Sequence, residues 1–409
     1  MVETMVGILI GLIVVVVIYN LLSVTEGYRR ITEGASDAQI TGLVSQLMVG
    51  RELGNGGNGI SISAADPTTS TGLINCDSAK AYVGAVWPFD NLWRPIPIMI
   101  NNGGGNDTTL DSYRSTSDSF ITLYGGSPHV AWGVPFAADA APGDPYVVQT
   151  PTGFSSPVPA ASNYRVVAIN PVTGDCESTV VTDATAPDVN GFVTLTHGGA
   201  TKNYLSTVEP VSRLVNLGPV NQARRTLYEV WNTKTGVTCN SGADTAPCQL
   251  FSTDLLAGGV RNPIAQNVVL MKVQYGIDLS TPIDGRIDCW VPAISDVGAL
   301  DPLPCVVPGG LKTDYTPASV RNFTLQDLQR IVAVRFAIVV RSDEPEPKLA
   351  ATDLKFSNRP DTYLFNCAAD DNTCQGRILL SNTIVQDGWR YRTYEAVMPL
   401  RNAIYNALP

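Results

Sequence analysis

A chain of 409 residues with 27 basic against 37 acidic side chains carries a formal net charge of −10. That balance, a pI near 4.7 and the lack of any basic run exclude the electrostatic footprint of a nucleic-acid binder. The length allows two or three compact units beyond any membrane segment, and 36 glycines with 28 prolines predict a turn-rich architecture.

The first element is the apolar run MVETMVGILIGLIVVVVIYNLL, residues 1–22. No charged side chain lies between Thr4 and Thr25, and at about 1.5 Å of rise per helical residue the run covers most of a bilayer core. Glu3 stands just ahead of it. A carboxylate there gains from the helix N-terminal dipole in water, but in lipid it costs several kcal/mol unless a cation meets it. Three readings compete. A signal anchor would hold a soluble head at the membrane, with Glu3 in the headgroups. A cleaved signal peptide fits less well, because no Lys or Arg precedes the run and the helical pattern continues where a small-residue cleavage site would fall. In the third reading the helix stays in the mature protein and becomes the packed core of a helical filament.

Past the apolar run, Val24, Tyr28, Ile31, Ala35 and Ala38 recur at helical spacing, and Leu43 and Leu47 extend the stripe to about Leu53. One continuous helix over residues 1–53 is expected, loosened at Gly27, Gly34 and Gly42, with its amphipathic half covered by a sheet. LGNGGNG then formally spells GxGxxG at Gly54, Gly56 and Gly59. It ends a helix where a dinucleotide fingerprint would open one, so it reads as a stop and linker.

Residues 54–220 predict a variable β-rich region, with short strands at Ser119–Tyr124, Tyr146–Gln149, Tyr164–Ile169, Ser178–Thr182 and Gly191–Thr196. Residues 221–409 predict a second β-rich region with longer strands at Arg225–Trp231, Asn267–Ile277, Arg330–Arg341 and Tyr391–Leu400. The third of these is nearly all apolar and so buried on both faces. Thr324 is the expected N-cap of a short helix in FTLQDLQR, residues 323–330.

All eight cysteines follow residue 75, which fits disulfides in an oxidising compartment. Proximity suggests Cys239 with Cys248 and Cys367 with Cys374, then Cys289 with Cys305, leaving Cys76 and Cys176 as a long-range pair. Arg29 and Arg30 follow the apolar run while no cation precedes it, so the positive-inside rule would keep the head in the cytoplasm, against the cysteines. A basic leader upstream of Met1 would resolve that conflict.

Catalytic motifs are missing: there is no HExxH, GxSxG or P-loop, and His129 and His197 are isolated. No catalytic residue and no cofactor is therefore expected. The turn DLSTPIDGRID gathers Asp278, Asp284 and Asp288, a candidate set for structural calcium against the plainer reading of Asp as a turn former. Trp87 and Trp93, at the ends of WPFDNLW, are the best candidates for a surface or glycan ligand.

MVETMVGILIGLIVVVV resembles the N-terminus of type IV pilins and their pseudopilin relatives. NVVLMKVQYGID (267–278), DGRIDCWVPA (284–293), RIVAVRFAIVVRS (330–342) and YRTYEAVMPLRNAI (391–404), in that order, resemble the C-terminal half of PilW-like minor pilins, and DSFITLYGG around Phe120 looks like their early strand. The resemblance covers residues 1–53 and roughly 260–405. It implies an α+β pilin-like fold, a long N-terminal helix packed on a mostly antiparallel β-rich head, and a short basic leader with processing and methylation at the N-terminus. It also implies a non-enzymatic role: a subunit waits in the bacterial inner membrane and then joins other copies or related pilins in an extracellular helical filament. Glu3 would meet a neighbour's N-terminal ammonium, and Gly7, Gly11 and Tyr28 are the further assembly candidates. A minor subunit of initiation or tip is the first expectation. A main subunit of an unusual filament, a pilus-borne adhesin and a type II secretion pseudopilin stay open beside it.

Overall fold

The computed structural model describes residues 2–60, 96–103, 116–126, 133–151, 153–154, 163–232, 237–239, 248–295, 307–343, 363–365, 378–379, 389 and 391–400. Helix α1 spans Val2–Asn55 without a break, so the expected loosening at Gly27, Gly34 and Gly42 does not occur. The glycines stay helical because two of them face the head, where packing substitutes for propensity. The helix stops where expected: Gly57 and Gly59 adopt φ of 80° and 68°, a left-handed geometry that glycine takes without steric cost.

Two strands follow, β1 (Ile98–Asn101) and β2 (Ser119–Tyr124). Six more come next: β3 (Val134–Pro135), β4 (Tyr146–Val148), β5 (Tyr164–Ile169), β6 (Cys176–Ala184), β7 (Val193–His197) and β8 (Arg213–Pro219). They form one antiparallel sheet in the order β3-β8-β5-β6-β7-β4. The two ends of that order meet. Phe136 bridges to Val148, and the amides of Ala137 and Gln149 donate to the carbonyls of Val147 and Pro135 at 2.8 and 3.1 Å. The sheet is therefore a closed barrel, which leaves no edge to cover. Its interior holds Phe136, Tyr146, Val166, Val181, Leu195, Tyr204 and Leu214.

The chain then returns to the first sheet through β9 (Arg224–Asn232), β10 (Val237–Thr238), β11 (Cys248–Asp254) and β12 (Arg261–Gln266). That sheet runs β1-β2-β9-β11-β12, with β10 on β9. Tyr124 and Arg224 are direct register partners, so the barrel is an insertion between two adjacent antiparallel strands. The expected division at residue 220 falls where the chain leaves the barrel and returns to the first sheet. Strands β1 and β2 belong with β9 to β12, because their backbone pairing partners lie on the far side of the insertion.

A four-stranded sheet, β14-β13-β15-β18, is built from β13 (Val268–Ile277), β14 (Cys289–Val291), β15 (Ile331–Arg341) and β18 (Tyr391–Pro399). Short helices α2 (Pro317–Val320) and α3 (Leu325–Gln329) precede β15. Thr324 caps α3 as expected, its side chain accepting from the Asp327 amide while Asp327 receives the Thr324 amide. Strands β16 (Tyr363–Leu364) and β17 (Ile378–Leu379) pair separately. All of β15 is buried, in line with its nearly all-apolar sequence, and the buried Arg335 within it donates to Gln274 Oε1 at 2.8 Å. One core joins α1, the first sheet and the four-stranded sheet through Val49, Leu53, Phe120, Leu250, Val273 and Phe336. A smaller cluster of Leu123, Val167, Val215 and Leu217 seats the barrel against β2.

Candidate assembly surface

The N-terminal part of α1 stands clear of the head. From Thr4 to Glu26 every residue is exposed, and none of the most apolar 18-residue window is buried, although the helix is long and apolar enough to cross a membrane. Leaving such a face in water costs about 1.5–3 kcal/mol for each large aliphatic residue relative to burial. Gly7 and Gly11 have nothing within 4 Å of where a Cβ would sit, so a neighbour could approach the backbone closely there. Glu3 lies within α1. Its side chain, like that of Tyr28, falls outside the described residues.

The C-terminal part of α1 has two unlike faces. The face against the head is small: Gly34, Ala38, Gly42, Ser45, Val49 and Leu53 are buried at spacings of four and three. Small side chains let β18 come close. A Cβ on Gly42 would stand 1.9 Å from the Tyr394 ring, and the Tyr394 hydroxyl donates toward the Ala38 and Gln39 carbonyls at 3.4 and 3.3 Å. Gln46 donates to the Glu395 carbonyl at 2.6 Å. On the flank facing the first sheet, Glu52 accepts from Thr122 at 3.2 Å and from the Tyr124 hydroxyl at 3.3 Å.

The opposite face carries Ile40, Leu43, Val44, Leu47 and Met48, between 42% and 74% exposed. Their spacing of i, i+3, i+4, i+7, i+8 makes one apolar stripe. This corrects the expectation that Leu43 and Leu47 lie under the sheet. The stripe was legible as helical, but two apolar faces share this segment. The sheet takes the smaller one because only there can a flat strand approach the helix axis. The outward stripe is a second apolar surface, parted from that of the first half of the helix by the exposed charges Glu26, Arg29, Glu33 and Asp37 on the same face.

The remaining candidates separate in space. Asp278, fully buried, accepts the amides of Ser280, Asp284 and Gly285 at 2.8, 2.8 and 2.6 Å. Asp288 accepts the Leu279 amide at 2.8 Å, and Asp284 the Arg286 amide at 2.9 Å. Each carboxylate thus caps its own turn. Among the described residues no three His, Cys, Asp or Glu side chains are grouped to hold a metal. Cys239 and Cys248 are bonded to each other, Cα–Cα 6.1 Å, across the loop from β10 to β11. Cys176 and Cys289 each take part in a disulfide as well, but not with each other. Cys76, Cys305, Cys367, Cys374, Trp87, Trp93 and His129 lie outside the described residues. His197 sits at the barrel end, its ring 3.8 Å from that of Tyr146 and its Nε2 2.9 Å from the Asp144 carbonyl. Burial lowers its pKa below the usual 6.5.

Residues 253–402 match the family model of the type IV pilus-assembly protein W, PilW. The chain is PilW-like over that segment. The match runs from the end of β11 to just past β18, taking in the sheet on which α1 docks and leaving out the barrel and α1 itself. The likeness to a type IV pilus-assembly protein is thus confined to the sheet on which the helix docks and its surroundings. No curated protein and no solved structure matches the chain.

Proposed function

We propose that this chain is a subunit of a type IV pilus or related filament, held first in the inner membrane by the apolar half of α1 and then assembled through that helix. The observation that carries the reading is the outward stripe of Ile40, Leu43, Val44, Leu47 and Met48, a second exposed apolar face that lies beyond the length a bilayer would cover and is parted from the first by Glu26, Arg29, Glu33 and Asp37. A solitary anchor needs no apolar face at that height, whereas neighbouring helices would bury it. Glu3 supplies the countercharge for a neighbour's N-terminus, and Gly7 and Gly11 allow helices to approach. The PilW-like segment favours a minor subunit of initiation or tip over a main subunit or a secretion pseudopilin, and subunit counting in purified filaments separates them. Val44→Glu with Leu47→Glu should leave the head folded and membrane insertion intact while incorporation into sheared filaments falls at least tenfold. Glu3→Ala should act likewise. Normal incorporation of both variants defeats the reading.

A second reading makes the barrel a binding module carried by the filament. It is favoured by the barrel's closed sheet and separate core, and by its position outside the PilW-like segment. Glycan or cell-surface binding that persists after the barrel is excised would count against it.

A further inference from the structure

Among the described residues, one ion pair has almost no access to water. Lys272, in the middle of β13, and Asp118, the residue before β2, are 0% and 1% exposed, with Lys272 Nζ 2.9 Å from Asp118 Oδ1. The pair sits at the junction of the first sheet and the four-stranded sheet. Asp118 donates its amide to the Met271 carbonyl at 2.8 Å, and the Met271 amide donates to Ser117 Oγ at 2.9 Å. The second carboxylate oxygen, Oδ2, accepts the Val273 amide at 2.9 Å. The Gly103 amide also donates to this carboxylate, so backbone donors hold the group in place while Oδ1 faces the amine.

We propose that Lys272 and Asp118 condense into an intramolecular isopeptide bond that joins the two sheets covalently. The Nζ–Cγ bond forms and the Cγ–Oδ1 bond breaks. Nζ gives up two protons to Oδ1, which leaves as water, and no oxidant or activating group is consumed. Oδ2 carries the charge of the tetrahedral intermediate, and the Val273 N–H stabilises it there as an oxyanion-hole donor would. The fixed contact supplies the effective concentration that free amines and acids lack. A dry surrounding opposes return by hydrolysis. Burial favours the reactive neutral forms, since desolvation lowers the Lys272 pKa and raises that of Asp118. The bond would close a loop over a sequence separation of 154 residues, a sheet-to-sheet lock that disulfide reduction would not open.

The test is the intact mass of the full chain extracted in detergent, reduced, alkylated and denatured. The expected mass is lighter than the sequence by one water. Tryptic digestion should miss the site after Lys272 and yield a branched peptide joining Asp118 to Lys272. Lys272→Met should restore the full mass, and Asp118→Asn should lose ammonia where the native chain loses water. A native chain at full mass with Lys272 open to amine labelling after unfolding overturns the proposal. So does a water-light mass that maps to any other residue.

Discussion

The helix-bearing sheet and the inserted barrel meet their hydrophobic needs in different ways. Strand β15 is buried on both faces because α1 covers the side that carries Phe336 while Arg335, on the other side, lies under the rings of Trp290 and Phe365. The barrel needs no helix: closing its sheet on itself turns Phe136, Tyr146 and Tyr204 inward around one another. The first unit therefore depends on distant parts of the chain and the second mostly on itself. That contrast explains how a large insertion fits between register partners Tyr124 and Arg224 without disturbing the sheet that receives it.

The severest test of this contrast is to excise residues 125–223 and join Tyr124 to Arg224 through a two-residue Asn-Gly turn, which suits a hairpin of this register. The rest should fold with α1 still docked, as judged by amide exchange protection in residues 38–53. Loss of that protection would show the barrel to be part of the supporting core. Next come matched core truncations, each costing about 3–5 kcal/mol. Phe336→Ala should reduce protection in α1, β13, β15 and β18 together, whereas Phe136→Ala should reduce it only in β3 to β8. Equal spreading of both effects would merge the two units into one.

A smaller effect is expected at the helix–sheet contact. Gly42→Leu drives a side chain into the Tyr394 ring and should cost about 1–3 kcal/mol, partly recovered by adding Tyr394→Ala in a double-mutant cycle. Leu47→Ala on the outward stripe should change stability by less than about 0.5 kcal/mol. The smallest effect belongs to pH and to the barrel alone. His197 has its pKa lowered by burial, so the unfolded chain binds the proton more readily. Barrel stability should be full above pH 6.5 and fall as the pH drops below it. The helix-bearing sheet should show no matching step, and His197→Phe should remove the step, both read from urea titrations at pH 7.5 and 5.5.

Much of the frame was legible in advance. The continuous run from Met1 to Leu22, the glycine stop after Leu53, the Thr324 cap and the apolar strand at 331–341 each rest on local chemistry, and each lies where the sequence puts it. The strands Arg213–Pro219 and Arg261–Gln266 were not legible. The first contains Gly218 and Pro219, and the second carries Pro263 on a sheet edge beside a register shift, so neither shows the alternation of a half-buried strand. The Cys239–Cys248 bond was readable from proximity alone, because its loop is short.

The sequence by itself determined that a long apolar helix opens the chain, where it stops, and that β-structure with disulfides follows, because helix periodicity, terminating glycines and β-rich runs act over a few residues. Only the tertiary structure decided which side of α1 meets the head, that residues 134–219 close into a barrel within a hairpin, and that Asp118 meets Lys272. Those outcomes depend on contacts between residues far apart in the chain, where steric fit and backbone pairing choose among surfaces that local chemistry leaves equivalent.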